Sequence, residues 1–207
     1  MNFAYFYIWI EKLFRRCRMK KLILFLMVLV FGTVGFSKTR HLGNYSYIDT
    51  DGAINIAVNA AVAAKNLNRK YIPLIAYMGA DVGTMATVER KSIVLEYKGK
   101  EYHLPTMKEL RQNYNRDVMD MTLFANEIEH IFPSEMSNYR YQPWIDFCPA
   151  RTEPRKLAPG DVTLSSSTGV KTKLYFKNPG IKKGDIAILR VHDKKNPDIK
   201  GELTIQF

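Results

Sequence analysis

Residues 92–104 read SIVLEYKGKEYHL and carry the clearest fold signal in the chain. Apolar or aromatic side chains alternate with polar ones on both sides of a Gly-Lys pair, which is typical of two half-buried antiparallel strands joined by a tight turn. We expect Gly99 and Lys100 to form a type II′ turn. The first central position of this turn requires a positive φ, which glycine adopts readily. In that register Lys98 faces Glu101, so opposite charges pair across the hairpin.

The same alternation returns in the last fifty or so residues. It predicts strands at residues 162–164, 170–177 and 202–207, and a nearly continuous apolar run at residues 186–191 predicts a central strand. The turn between the last two strands falls at residues 195–198, which read Lys-Asn-Pro-Asp. We therefore predict a mainly β fold of the α+β class, an antiparallel β-sandwich with an N-terminal helix and a long helical or irregular insertion.

The hairpin and the closing strands resemble the telokin-type immunoglobulin-like domains found in many uncharacterised secreted bacterial proteins. The resemblance covers about eighty residues, and the Cys-Trp-Cys core of antibody domains is absent. It implies an immunoglobulin-like sandwich that serves as an extracytoplasmic interaction or structural module. It transfers no functional residue.

The first 37 residues are typical of an export signal preceded by an extension. A pair of lysines stands before a 15-residue apolar run, residues 22–36, which is shorter than the roughly 20 residues that a membrane-spanning helix needs. We expect translation to begin at Met19 and cleavage to follow Gly35 or Ser37. The protein is then periplasmic, on the cell surface or secreted, and it meets the membrane only if the signal is retained as an anchor.

The charge balance does not indicate a nucleic-acid partner. The chain has 31 Lys and Arg against 20 Asp and Glu, a formal net charge of +11. Without residues 1–37 it keeps 25 basic and 19 acidic residues, so the net charge falls to +6. Much of the basicity thus belongs to the export signal. The same cut removes Cys17, which leaves Cys148 as the single cysteine and excludes an internal disulfide.

The domain organisation follows from these assignments. We expect residues 38–50 to be a linker and residues 51–207 to be a single sandwich domain, with an insertion at residues 105–160. Thr106 and Glu109 predict a helical capping box at the start of the insertion. Beyond that helix the pattern is poor, and an irregular segment of this length inside a domain usually has a function or is disordered.

Two local patterns refine the first half of the domain. Asp51 stands at the N-cap of a helix predicted for residues 52–66, because the alanines of this stretch favour a helix. The apolar run at residues 71–77 predicts a strand, and Pro73 within it predicts an edge strand or a bulge.

We expect no cofactor, no metal and no catalytic residue, since no motif with the required spacing is present. Residues 47–58 match a calcium loop only in part, with Asp49 and Asp51 but without its first carboxylate and its bidentate glutamate. Capping of the predicted helix by Asp51 is the preferred interpretation. A weak calcium site is the alternative.

An enzyme is the second reading of the chain. Its site would lie in the insertion, around Cys148 or around the neighbouring Glu127, Glu129 and His130. No family signature surrounds Cys148. Glu127, Glu129 and His130 are spaced so that they would not all lie on one face of a helix. We interpret His103 as the cross-strand partner of Glu96.

Two groups of side chains are the candidate partner-binding residues, namely Lys171, Lys173, Tyr175 and Lys177 on one face of a predicted strand, and Tyr139, Tyr141 and Trp144 in the insertion. A basic face suits an acidic polymer or an anionic surface, although a solvated face that resists edge pairing is an alternative. The aromatic residues form either a binding lip or a cover for one end of the sandwich, and we favour the cover.

We predict a non-enzymatic cell-envelope protein that binds a protein or surface partner through these residues. A membrane-tethered structural component is a further alternative.

Overall fold

The computed structural model describes residues 39–128 and 134–207. The predicted export signal, with its Met19 start and its cleavage site, lies outside the described residues, and so does Cys17.

The described residues are mostly β, as predicted, and form twelve strands: β1 Arg40–Gly43, β2 Ser46–Asp49, β3 Ile54–Asn59, β4 Tyr71–Ala80, β5 Ala86–Glu89, β6 Ile93–Tyr97, β7 Lys100–His103, β8 Arg140–Tyr141, β9 Asp161–Leu164, β10 Thr168–Lys177, β11 Ile186–His192 and β12 Lys200–Gln206. The α-helices among these residues are α1 Ala61–Ala64, α2 Met107–Asn113 and α3 Asp117–Ile128. A six-stranded sheet has the order β1-β2-β3-β4-β10-β8, a four-stranded sheet has the order β12-β11-β6-β7, and β5 pairs with β9. Pairing between these strands is antiparallel, apart from the short β8, which runs parallel to β10.

The two larger sheets contact each other through β12, which lies against β2 and β3. The Tyr47 hydroxyl donates to the Gln206 carbonyl at 2.6 Å. Gly201 makes the close approach possible, because a Cβ at this position would collide with the carbonyl of Ile54. One apolar cluster contains buried side chains from both sheets. This arrangement is compatible with the predicted sandwich.

The predicted hairpin forms between β6 and β7, but its turn lies one residue earlier than expected. Lys98 and Gly99 have φ angles of 52° and 72°. Two positive φ values define a type I′ turn, which matches the twist of the flanking strands better than other two-residue turns do. Glu96 consequently pairs with Glu101, and Arg190 of β11 offsets the like charges by an ion pair with Glu96.

The predicted N-terminal helix over residues 52–66 is wrong. β3 occupies its first half, and only the single turn of α1 follows. Ile54, Ile56 and Val58 alternate along β3, and β-branched side chains favour a strand. Both neighbouring strands pair with β3, and its six residues are all buried. Sheet pairing thus outweighs the helix propensity of the alanines.

The prediction that residues 38–50 form a linker is also wrong for residues 40–49, which form β1 and β2. Strands of four residues are too short to show a clear alternation in a polar segment. Asp49 orders the turn that follows, because its carboxylate accepts hydrogen bonds from the Asp51 N–H at 3.1 Å and the Thr39 hydroxyl at 3.2 Å. Asp51 therefore caps no helix.

Pro73 lies in a central strand, contrary to the predicted edge strand or bulge. β4 pairs with β3 only from Ile75 onward. Pro73 faces Tyr175 of β10 and has a neighbouring strand on one side only, which is where sheets tolerate proline. The prediction was right that Pro73 needs a position without a strand on one side. It was wrong that β4 as a whole is an edge strand or bulged.

The four strands predicted near the C-terminal end of the sequence are confirmed as β9, β10, β11 and β12. β11 is central, between β6 and β12. The predicted turn between β11 and β12 also forms, and the Asp193 carboxylate accepts from the N–H groups of Lys195 and Asn196 at 2.8 and 2.7 Å.

The described part of the insertion, residues 105–160, contains α2, α3 and β8 and is otherwise irregular. The capping box is confirmed, since the Thr106 hydroxyl accepts from the Glu109 N–H at 3.2 Å and the Glu109 carboxylate accepts from the Thr106 N–H at 2.8 Å. Among the described residues, no helix combines the length and the hydropathy needed to cross a bilayer.

The faces of β12 can be tested by a pair of adjacent substitutions. Ile205 is fully buried, whereas Gln206 is exposed. Ile205→Asp places an unpaired carboxylate in the core, and we expect a loss of about 4 kcal/mol or more in unfolding free energy, with loss of soluble expression. Gln206→Asp should change the free energy of unfolding by no more than about 0.5 kcal/mol. Normal thermal melting of Ile205→Asp would contradict the assignment of the strand faces.

Candidate functional site

The insertion folds over the lysine-bearing face of β10, where Asp146 and Glu153 pair with Lys173 and the Tyr114 ring contacts Tyr175. Lys173 and Tyr175 are buried, with 5% and 0% of their surface exposed. Lys171 and Lys177 on the same face are exposed. The four residues therefore do not form one surface that a partner could contact, because the insertion covers the middle of the strand.

The aromatic residues of the insertion are also divided. Tyr139 is buried, and its hydroxyl donates to the Ala80 carbonyl at 3.0 Å. Tyr141 is half-buried and meets the Tyr77 ring edge-on, with 5.5 Å between ring centroids. Trp144 is different, since 53% of it is exposed. The two tyrosines act as a cover, and Trp144 remains available at the surface.

Asp146 is the centre of a buried charged network beneath this cover. It is 1% exposed. Its Oδ1 accepts from the N–H groups of Cys148 and Lys173 at 2.9 and 3.0 Å and from the Thr172 hydroxyl at 2.9 Å. Its Oδ2 forms an ion pair with the Lys173 ammonium group, and the Lys156 Nζ lies 3.8 Å away. Both oxygens of this buried carboxylate thus have hydrogen-bond donors.

Glu153 supplies the second carboxylate of the network. Its Oε2 accepts from Lys173 Nζ at 2.7 Å and from the Ala150 N–H at 2.9 Å, and its Oε1 lies 2.7 Å from Lys156 Nζ. Burial alone would raise the pKa of Glu153, but the hydrogen bonds from Lys156, Lys173 and Ala150 lower it to about 2. The carboxylate is therefore ionised at any physiological pH.

Lys173 is charged for the corresponding reason. Burial alone would lower its pKa, but the attraction of Asp146 and the hydrogen bonds to Asp146 and Glu153 raise it above the usual value for lysine. The sequence predicted that Lys173 is solvated. In the structure it is instead a buried ion-pair partner that attaches the insertion to β10.

Cys148 lies beside this network and is not activated. Its side chain is 1% exposed, and the Arg90 guanidinium nitrogens are 3.9 and 4.0 Å from its Sγ. Burial raises the pKa of the thiol to about 11, although the positive charge of Arg90 opposes the shift. Arg90 also donates to the carbonyl groups of Phe147 and Pro105. A buried, protonated thiol is a poor nucleophile.

A second buried network attaches the helices of the insertion. Asp120 is fully buried, and it accepts from Arg69 and from the Tyr114 hydroxyl, each at 2.6 Å. Burial raises the pKa of Asp120, and the donors oppose this shift. The Tyr114 ring in turn contacts Tyr175, with 5.5 Å between ring centroids. These contacts fix α2 and α3 on the sheet, and the Asp120 carboxylate and the Tyr114 hydroxyl are both buried among them.

The exposed part of the insertion forms a cleft, which we call the Trp144 cleft. It is lined by Pro143, Trp144 and residues 152–156 and has a volume of about 480 Å³. The Trp144 carbonyl accepts from the Leu157 N–H at 2.7 Å, and the Leu157 carbonyl accepts from the Asp146 N–H at 3.0 Å. These hydrogen bonds tie the two walls of the cleft together and to the buried network.

The remaining predicted groups do not assemble into a reactive site in the described residues. Glu129 and His130 lie outside these residues, and so does the side chain of Glu127. His103 pairs with Val94 of β6, not with Glu96. Within residues 39–128 and 134–207, no three His, Cys, Asp or Glu side chains are arranged to hold a metal ion.

The sequence interpretation missed Asp146, Glu153 and Lys156. Each lies in irregular chain, where no periodicity marks an inward-facing position. No clear signal in the sequence marked Lys173 either, because it follows Thr172 and shares its strand face with Lys171, as a solvated lysine would.

The ion-pair network predicts a contrast between two lysines of β10. Lys173→Met leaves Asp146 and Glu153 buried without their main cation, so we expect a loss of about 3 kcal/mol in the free energy of unfolding. Lys171→Met, on the same face but exposed, should lose no more than about 0.5 kcal/mol. Urea denaturation monitored by circular dichroism measures both, and equal small losses would contradict the network.

The environment of Cys148 predicts slow modification. In a Cys17→Ser variant Cys148 is the only thiol. We expect it to resist a thiol reagent such as dithionitrobenzoate in the native protein at pH 8, and to react at once in guanidinium chloride, because burial keeps it protonated and inaccessible. Complete reaction of the native protein within minutes would contradict this assignment.

Comparisons of the sequence with models of known protein families and with curated proteins, and of the structure with solved structures, gave no match. A function is therefore inferred from the geometry of the described side chains.

Proposed function

We propose that this chain is a non-enzymatic, exported protein of a bacterial cell envelope that binds a partner through the outer surface of its insertion. The Trp144 cleft is the observation that carries the proposal. Trp144 is a large aromatic residue that stays half exposed on a segment otherwise held down by buried ion pairs. Exposed aromatic side chains on a rigid base are typical of binding surfaces.

The fold supports a module of the immunoglobulin-like type. Two sheets, antiparallel apart from β8, meet through β12, β2 and β3, and both contribute side chains to one apolar cluster. Such frameworks place their variable segments at the periphery, where binding residues are disproportionately found. In this protein the peripheral segment is the insertion.

The chemistry of the insertion supports binding more than catalysis. The carboxylates of Asp146 and Glu153 are committed to Lys173 and Lys156. The pKa of the Cys148 thiol is raised, and the side chain in hydrogen-bond contact with its Sγ is the guanidinium group of Arg90, which is not a general base. A catalytic nucleophile would need the opposite arrangement.

Co-sedimentation with envelope fragments of the source bacterium tests the proposal. We expect the wild-type protein to sediment with the fragments and Trp144→Ala to lose about tenfold or more in affinity, because the indole ring is the main exposed contact. Ile186→Ala removes an apolar side chain that is 57% exposed but lies on β11, outside the insertion, and should bind like wild type. Equal binding by Trp144→Ala and wild type would contradict the assignment of this surface.

A further inference from the structure

The Trp144 cleft offers a ligand one flat aromatic face between rigid neighbours. Pro143 and Pro154 line the cleft beside Trp144, and prolines lose little conformational freedom when a ligand binds. An indole ring presents a broad apolar face with a polar edge. This combination suits a ligand that also has an apolar face and polar edges, as a sugar ring has.

The carboxylates beside the cleft are not available to a ligand. Glu153 is held by Lys173 and Lys156, each at 2.7 Å, and Asp146 is buried. A cationic ligand would have to break these ion pairs in order to bind, and a buried pair that loses one partner is strongly destabilised. The cleft therefore offers a cationic ligand no free carboxylate.

Two cations at or near the cleft, Arg155 and Lys171, have no ion pair with a carboxylate of the described residues. Arg155 lines the cleft and is exposed. Lys171 is exposed on β10, and its ammonium group lies over the Tyr77 ring, 5.3 Å from the ring centroid. Partial burial and the nearby charges of Lys156 and Lys173 lower the pKa of Lys171. Lys171 is thus electrostatically close to Lys156, which lines the cleft, and the charges of Lys171 and Arg155 are open to an anionic ligand.

The main-chain groups of the cleft are not free to pair with a peptide that would add as an extra strand. An extended peptide gains affinity mainly through main-chain hydrogen bonds to a free strand edge. Here the Trp144 carbonyl and the Leu157 N–H already bond to each other, and the Leu157 carbonyl accepts from Asp146. A sugar ring needs only the aromatic face and the cations.

We propose that the Trp144 cleft binds an acidic polysaccharide, with a uronic acid ring stacked on Trp144 and carboxylates of the chain paired with Arg155 and Lys171. The proposal rests on the proposed function, for which it names the class of ligand. Because Arg155 and Lys171 are exposed, binding weakens as the ionic strength rises.

Calorimetric titration of the full-length protein, purified in the form that the expressing bacterium processes, tests the proposal. The probe is polygalacturonate, with dextran as a neutral polysaccharide and poly-L-glutamate as an acidic polypeptide. We expect polygalacturonate to bind, dextran not to bind, and poly-L-glutamate to bind at least about tenfold more weakly. Trp144→Ala and Arg155→Ala should each weaken polygalacturonate binding by about tenfold, and unchanged thermal unfolding checks that they fold.

Arg111→Ala is the matched control, since Arg111 is an exposed arginine of α2 outside the cleft, and it should bind like wild type. Equal weakening by Arg111→Ala would show general attraction to a basic surface and overturn the proposal. Preferred binding of poly-L-glutamate would also overturn it and indicate an acidic polypeptide. If polygalacturonate does not bind while envelope binding still requires Trp144, the ligand class fails and the proposed function stands. If envelope binding does not require Trp144, both fail.

Discussion

Lys173 places a full positive charge inside a ten-residue strand that is covered on both faces, and a buried charge is stable only when opposite charge and hydrogen bonds surround it. Its strand neighbours, Thr172 and Leu174, provide no negative charge, so the irregular chain from Asp146 to Glu153 has to provide it. The insertion is held on the sheet by this requirement. The Trp144 cleft is built from the same stretch and inherits its fixed geometry, which lowers the entropy that a ligand must lose on binding.

Most strands could be predicted from the sequence because their side chains alternate between a buried and an open environment, as in β6, β9 and β12. Prediction failed where another local preference competed with this pattern. The alanines in and after β3 favoured a helix in the prediction. In the structure, pairing with β2 and β4 stabilises the segment as a strand. The hairpin turn was placed one residue too late, since a positive φ at Lys98 is uncommon for a residue other than glycine.

The candidate site was only half predictable. The lysines of β10 and the aromatic residues of the insertion were both recognised, but alternation along one strand cannot show that a segment distant in sequence covers it. Lys173 and Tyr175 were therefore interpreted as surface residues. Asp146 lies 27 positions before Lys173 in chain without periodicity, so only the folded structure reveals their ion pair. Of the predicted aromatic residues Tyr139, Tyr141 and Trp144, the structure leaves only Trp144 more than half exposed.

The contact of β12 with β2 and β3 joins parts of the chain that are far apart in sequence, and the Tyr47 to Gln206 hydrogen bond spans 159 positions. Contacts of such long range form late and slow the folding of a domain. While the segment that contains β12 is still being synthesised, the early strands lack the partner that closes their core. For a chain that we propose is exported, this delay has a benefit, because an unclosed polypeptide can be threaded through a narrow secretion channel, whereas a finished domain cannot.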